Sequence, residues 1–258
     1  MTVFLRLSTL SMLFVLGILS IIASGGGSDD ILLAPPPIPG SPSGYYSGRF
    51  TSTDSGFPID APVVGIVSED LDAHILGSEL LYVGMVATSA EVLSGTLTQY
   101  LGRTRRFFGV DGTSEISLDG SIDATGLSGD YAGPDDQGSF DLVYSSAYEQ
   151  ASSLEQTSGV WTLTEAAAGN PLYILTITID ADGDLFGSDT SGCVYSGEVS
   201  LIDERFNAYA VAIGLTSCGV FDGDYTGLAH LFDTPSASSA IRLSFANSDF
   251  AFWGALQK

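Results

Sequence analysis

The chain has 258 residues, of which 45% are hydrophobic and only 15% charged, with 31 glycines; this composition excludes a disordered tail, a coiled coil and a collagen-like fibre, and describes a turn-rich globular protein of one or two domains. Thirty-one acidic against eight basic residues give a formal charge of −23. So acidic a chain lacks the basic groups that displace phosphate counterions, which excludes a sequence-independent grip on nucleic acid and disfavours anionic membrane surfaces.

In chain order, Arg6 precedes the apolar run 10–22, which meets the small residues Ala23-Ser24-Gly25. A charged start, about a dozen apolar residues and a small-residue exit form the pattern of a secretory signal peptide, and the run falls short of the ~20 residues of a spanning helix. Residues 1–24 are therefore expected to be an export signal and the mature chain is expected not to insert in a membrane, with an uncleaved anchor as the alternative. Residues 25–43 are Gly, Ser, Asp and Pro around a short apolar stretch, with Pro35-Pro36-Pro37, Pro39 and Pro42. They favour extended polyproline geometry and read as a disordered linker.

From Gly44 onward the one helical candidate is the weak stretch 147–157. Short alternating or apolar runs dominate, at 63–68, 80–88, 92–100, 115–122, 140–144, 173–180, 194–202, 208–216 and 241–246, each bounded by Gly, Asp, Asn, Ser or Pro. Strands so spaced, with Asp-Gly turns such as Asp111-Gly112 and Asp119-Gly120, indicate antiparallel hairpins. The chain also echoes itself. Ser43-Gly44-Tyr45-Tyr46 returns as Ser158-Gly159-Val160-Trp161, Tyr82-Val83-Gly84 as Tyr195-Ser196-Gly197, and Gly129-Asp130-Tyr131 as Gly223-Asp224-Tyr225. The last echo lies closer than the others, which assigns extra residues to the first copy, around a hairpin from Gly102 to Asp111. With about eight strands per copy, the expected fold is all-β: two small up-and-down barrels in tandem, residues 44–157 and 158–258, with a single larger barrel or sandwich as the alternative.

Cys193 and Cys218 are the only cysteines. A hairpin centred between Arg205 and Phe206 sets them opposite each other and predicts a disulfide in an oxidising compartment. In that register Tyr195 faces Thr216, Gly197 faces Gly214, Val199 faces Ala212 and Leu201 faces Ala210. Gly197, Ala210, Ala212 and Gly214 then point into the barrel and leave room, and Tyr195, Trp161 and Trp253 are the candidate walls for a ligand.

For catalysis the chain offers little. There is no Gly-x-Ser-x-Gly elbow, His-Glu-x-x-His or phosphate-binding loop. The two histidines are His74 and His230, and by the repeat His74 falls at the place held by Asp184 in the second copy, which suggests a turn position without special chemistry. Asp180-Ala181-Asp182-Gly183-Asp184 has its glycine too early for an EF-hand and reads as a hairpin turn, with calcium held between loops as the alternative. The carboxylate pairs Asp222/Asp224 and Asp135/Asp136 are formal candidates for glycoside hydrolysis. Arg103-Thr104-Arg105-Arg106, the one basic cluster, reads as protection for a strand edge or hairpin tip, with receipt of an anionic partner as the alternative. No catalytic residue, metal ligand or cofactor is expected.

The stretch Ile21-Ile22-Ala23-Ser24, followed by a Gly/Ser/Asp-rich arm, resembles the leader and tether of bacterial envelope lipoproteins, including those with small β-barrel domains; Ser191 to Gly197 resembles a Ser-Gly-Cys-x-Tyr-Ser-Gly element of uncharacterised envelope proteins. Ser24 stands where the lipoproteins carry their lipid-bearing cysteine, so cleavage near Ala23 to Gly25 without lipidation is expected. The resemblance implies export to the periplasm or outer surface of a bacterium. The expected role is a non-catalytic binding module for a partner protein or a small apolar ligand; a structural or stress module without ligand, and a carboxylate-dependent hydrolase, are the alternatives.

Overall fold

A computed structural model describes residues 40–53, 60–104, 107–108, 113–165, 172–234 and 237–258; the expected export signal, residues 1–24, and the linker up to residue 39 lie outside them. The described chain is all-β and forms two closed eight-stranded antiparallel barrels in tandem. The first barrel begins with β1 (Gly44–Ser52), β2 (Ala61–Val67), β3 (Asp72–Leu76), β4 (Leu80–Ser89) and β5 (Val92–Leu101). A small hairpin, β6 (Arg103–Thr104) and β7 (Phe107–Phe108), leaves the barrel before β8 (Ser114–Asp123), β9 (Gly126–Ala132) and β10 (Gln137–Ser145) complete it. Each barrel strand pairs with the next, β5 with β8, and β10 returns to β1.

The second barrel runs through β11 (Gly159–Glu165), β12 (Tyr173–Ile179), β13 (Asp184–Asp189), β14 (Val194–Leu201), β15 (Tyr209–Thr216), β16 (Gly223–Thr234), β17 (Ala237–Ala246) and β18 (Ala251–Gln257). Between the barrels the weak helical stretch becomes a 3-10 turn, Ser146–Glu149, and a single helical turn, Leu154–Thr157, opened by a Ser153/Gln156 capping box.

Alternation builds these strands. In β8, Ile116, Leu118 and Ile122 are buried while Glu115, Ser117 and Asp119 are exposed, the period-two pattern of a sheet with one face on a core. Glycine permits the tight curl where strands press together: a Cβ on Gly48 would run into the backbone of Asp141, and one on Gly227 into the carbonyl of Ser244.

Three expectations need correction, besides the Asp119-Gly120 turn, which instead lies inside β8 opposite Asp130 and Gly129. The β14–β15 hairpin is shifted by one residue: Val194 pairs with Thr216, Tyr195 with Leu215, Gly197 with Ile213 and Val199 with Val211. The cysteines are disulfide-bonded with alpha carbons 4.5 Å apart, but Cys218 lies beyond the strand. Ser217 and Gly219 turn the chain at φ 60° and 72°, and the Cys218 amide donates to Asp222 Oδ1 at 2.6 Å. Cys symmetry therefore does not mark the strand register, and a one-residue slip exchanges the two faces.

Second, the Gly-Asp-Tyr echo aligns different strands, since Tyr131 is on the seventh strand of its barrel and Tyr225 on the sixth of its own. The first two echoes fall on equivalent strands, β1 with β11 and β4 with β14. Third, His74 is not in a turn: it occupies the middle of β3, on its outer face, 3% exposed.

It is buried because the barrels share a wall. Outward residues of β3 to β5, Leu76, Leu81 and Tyr100, pack with Ala246 and Ala251, and with Trp253 on β18. Tyr45 and Ile66 pack with Leu228 of β16, and the Tyr45 ring lies 3.8 Å from that of His230. The expected extra hairpin is present and has an unexpected partner. Strand β18 meets β11 through the single pair Thr162↔Gln257, and the same edge is paired at its other end by β7, through Ala251↔Phe108 and Phe252↔Phe107. A hairpin from the first barrel thus covers the seam of the second.

Both tryptophans lie in the second barrel, so their fluorescence follows it. Replacing residues 103–111 by a short Gly-Ser turn uncovers the β18 edge and is expected to lower the thermal midpoint seen by tryptophan and raise concentration-dependent aggregation; an unchanged midpoint with a monomeric variant would show that the hairpin does not support the seam. Replacing both cysteines by serine is expected to lower unfolding stability by about 3–4 kcal/mol, the chain-entropy value for this loop, read by urea denaturation.

Candidate functional site

Both barrel interiors are filled by side chains. In the first, Phe50 stacks on Tyr82 and Phe140 at 4.8 and 5.6 Å. In the second, Trp161, Leu175, Ile177, Val211, Ile213 and Phe245 belong to one buried cluster. Among the described residues, each interior also holds one carboxylate. Asp189 Oδ2 accepts from the hydroxyls of Tyr173 and Tyr195 at 3.0 and 2.9 Å, and its other oxygen from the Ser191 amide at 2.7 Å. Asp136 accepts from Ser52 Oγ at 2.6 Å, Tyr131 Oη at 3.0 Å and Gln99 Nε2 at 3.3 Å; burial and the neighbouring Asp136 charge push the Tyr131 hydroxyl up to about 12.

The residues named from sequence as ligand walls separate accordingly. Tyr195, Gly197 and Trp161 face the interior of the second barrel, but as core: the Trp161 Nε1–H donates to the Thr157 carbonyl at 2.7 Å, and the space beside Gly197 is taken by the backbone of Ala212 and Ile213. Ala210, Ala212 and Gly214 alternate with the buried Tyr209, Val211, Ile213 and Leu215, which puts them on the outer face of β15. Trp253 is on the outer face of β18, half-buried in the shared wall.

The carboxylate pairs are likewise divided. Asp136 turns inward while Asp135 is exposed, and Asp222 accepts from the Cys218 amide. Asp180 Oδ1 accepts from the amides of Asp182 and Asp184 at 2.9 and 3.0 Å, as a hairpin turn requires. The side chains of the Arg103 to Arg106 cluster lie outside the described residues.

Two concave spaces stand out. The first, of about 630 Å³, is the mouth of the first barrel. Tyr46, Ile122 and Tyr144 give it a predominantly apolar wall, and Ala90, Glu91, Asp123 and Ala124, from the β4–β5 and β8–β9 turns, form its rim. Segment Gly40 to Ser43 is pinned along one side: Thr88 Oγ1 donates to the Gly40 carbonyl at 2.7 Å, Tyr46 Oη to the Pro42 carbonyl at 2.7 Å and Ser43 Oγ to the Ser68 carbonyl at 3.1 Å. The second, of about 510 Å³, is a groove between the barrels where Ala210 and Ala212 reappear, facing Asp70, Asp72 and His74 across it.

His74, Ser244, Tyr45 and His230 join the barrels, a role that sequence reasoning gave to none of them. His74 Nδ1 lies 2.8 Å from Ser244 Oγ, and His230 Nε2 lies 3.2 Å from Arg242 Nη1. The legible signal was the run Leu80-Leu81-Tyr82, buried at three successive positions, which marks a strand covered on both faces. Comparison with known proteins finds no matching family model, no similar curated protein and no similar solved structure.

Burial holds the His74 imidazole down to about 3, and burial with Arg242 alongside holds His230 well below the usual range. Both are neutral when folded and protonate near 6.5 when unfolded, so the unfolded chain binds more protons. Their contribution to stability is complete above pH 6.5 and falls away with decreasing pH, for His74 as the pH approaches 3. Between pH 6 and 4, the wild type is expected to lose up to about 1.4 kcal/mol per pH unit more than a His74→Gln variant; parallel pH profiles in urea denaturation would refute this.

Proposed function

We propose that the protein is an exported, non-catalytic binding module of a bacterial cell envelope, which takes a small apolar molecule, or an apolar side chain of a partner protein, at the mouth of its first barrel. The observation that carries this reading is the apolar cavity over Tyr46, Ile122 and Tyr144. Its volume lies in the range of small-molecule sites, about 300–1,000 Å³, and its floor is the top of a packed core, so an occupant covers apolar surface without displacing any core residue. Export is supported by the charged, apolar and small-residue order of residues 1–24 and by the Cys193–Cys218 disulfide, a bond kept mainly in oxidising compartments. The filled interiors favour the structural module as the second reading.

The neutral apolar fluorophore N-phenyl-1-naphthylamine tests the choice. It is expected to bind the full chain saturably, with Ala124→Trp at the rim weakening it by about tenfold or more, because the indole fills space that the ligand would occupy. Absence of saturable binding across a panel of apolar compounds would leave the structural module; undiminished binding to Ala124→Trp would move the site away from the mouth.

A further inference from the structure

The apolar mouth of the first barrel offers a ligand acceptors and, among the described residues, no free side-chain donor. Each hydroxyl on its wall has its proton committed elsewhere. Tyr46 Oη donates to the Pro42 carbonyl at 2.7 Å, Tyr144 Oη to Glu149 Oε1 at 3.3 Å, Ser41 Oγ to Ser43 Oγ at 3.1 Å, and Ser43 Oγ to the Ser68 carbonyl at 3.1 Å. A hydroxyl so engaged still accepts through its lone pairs. No basic side chain of the described residues lines the cavity. The sequence has no Lys, Arg or His between Arg6 and Arg49, and Arg49 is paired with Asp60.

The charges that do stand at the mouth are negative. Glu91 and Asp123 line the rim from the β4–β5 and β8–β9 turns, both exposed, and Glu91 has no ion-pair partner among the described residues. Asp123 Oδ1 accepts from the Thr125 hydroxyl and amide, both at 2.6 Å, and from the Gly126 amide at 3.1 Å. The Thr125 hydroxyl first, then these amides, hold its carboxyl below the ordinary value, so the rim keeps that charge. Behind the wall, burial first and then the charges of Glu149 and Glu69 push the Tyr144 hydroxyl above its usual range. Arg205, whose charge is felt at Glu69, is committed to Asp203 and does not line the cavity.

Two rings complete the lining. Tyr46 and Tyr144 meet edge to face with centroids 5.8 Å apart, and an aromatic ring carries a negative face that attracts cations. A carboxylate or sulfate head would meet acceptors and like charges here, with no side chain to donate to it. An apolar body that ends in one positive charge matches every part of the wall.

We propose that the mouth selects a cationic amphiphile, an alkyl or aryl body ending in an ammonium group, with the body over Ile122 and the tyrosine rings and the ammonium facing Glu91 and Asp123. The selectivity rests on the binding reading of the mouth and adds to it the sign of the ligand's charge.

Competition against N-phenyl-1-naphthylamine bound to the full chain tests this, in 0.15 M salt to screen the diffuse attraction of so acidic a protein for any cation. Decyltrimethylammonium, decanol and decyl sulfate share one alkyl tail and are compared below their micelle concentrations. The cation is expected to displace the dye at about tenfold lower concentration than the alcohol, and the sulfate is expected to be the weakest. Glu91→Gln is expected to narrow the gap between cation and alcohol by about three- to fivefold, whereas Glu155→Gln, an exposed acid outside the cavity, changes it less than about twofold. Equal displacement by cation and alcohol, preference for the sulfate, or equal narrowing in the two variants overturns the selectivity while the bound dye keeps the binding reading in place. Failure of the dye to bind overturns the binding reading, and the selectivity with it.

Discussion

The shared wall is the constraint on which the rest of the molecule depends. A small barrel has a filled interior and, ordinarily, a polar outside; here the outer faces of β3 to β5 are apolar, and an apolar face of that size must be covered. Each barrel covers the other, through Leu76, Leu81 and Tyr100 against Ala246 and Ala251, and through Tyr45 and Ile66 against Leu228. Polar links hold the faces in one arrangement: His74 to Ser244, and the Tyr100 hydroxyl to the Asn247 carbonyl at 2.6 Å. Backbone pairing of β7 with β18 adds a third kind of bond across the same boundary. Tandem barrels so joined do not behave as beads on a string, and the groove at the edge of the wall takes its shape from both.

Filling the interiors leaves unfilled space only outside the two cores. The lumen of an eight-stranded barrel is just wide enough for side chains or one small ligand, and aromatic rings decide for the former in both copies. The buried carboxylates Asp136 and Asp189 fit that decision, because each is surrounded by donors that pack as hydrocarbon while their hydroxyls reach inward. A ligand in either lumen would have to break such a network, whereas one at a mouth or in the groove displaces only water.

Alternation and turn residues made the strands legible, and the duplicated tyrosine and glycine elements on β1 and β4 made the tandem plan legible. The disulfide was legible as a pairing and misleading as a ruler. Its second cysteine sits in a loop whose left-handed residues, Ser217 and Gly219, leave no periodic trace, so Ala210, Ala212 and Gly214 were assigned to the wrong face. The Gly-Asp-Tyr echo misled for a related reason: glycine followed by an inward tyrosine suits any barrel strand and does not say which. The wall and the groove were beyond reading in detail, since His74 meets Ser244 across 170 residues, and nothing local to either announces the other.

The wall also shows how a chain with so few cations places one of them. Arg242 lies there with its guanidinium 4.4 Å from the centre of the Phe232 ring and Nη1 on His230 Nε2, and no carboxylate joins it among the described residues. A guanidinium only donates, so His230 must present a lone pair and carry its proton on Nδ1. A carboxylate in that place would add a second desolvated charge, whose burial consumes much of what the ion pair returns. The neutral imidazole accepts without that cost, and His74, on the other side of the wall, is likewise held neutral by burial beside Ser244. In a protein whose surface is so strongly negative, an uncharged acceptor is the group that can be buried between two barrels without repelling the acids around it.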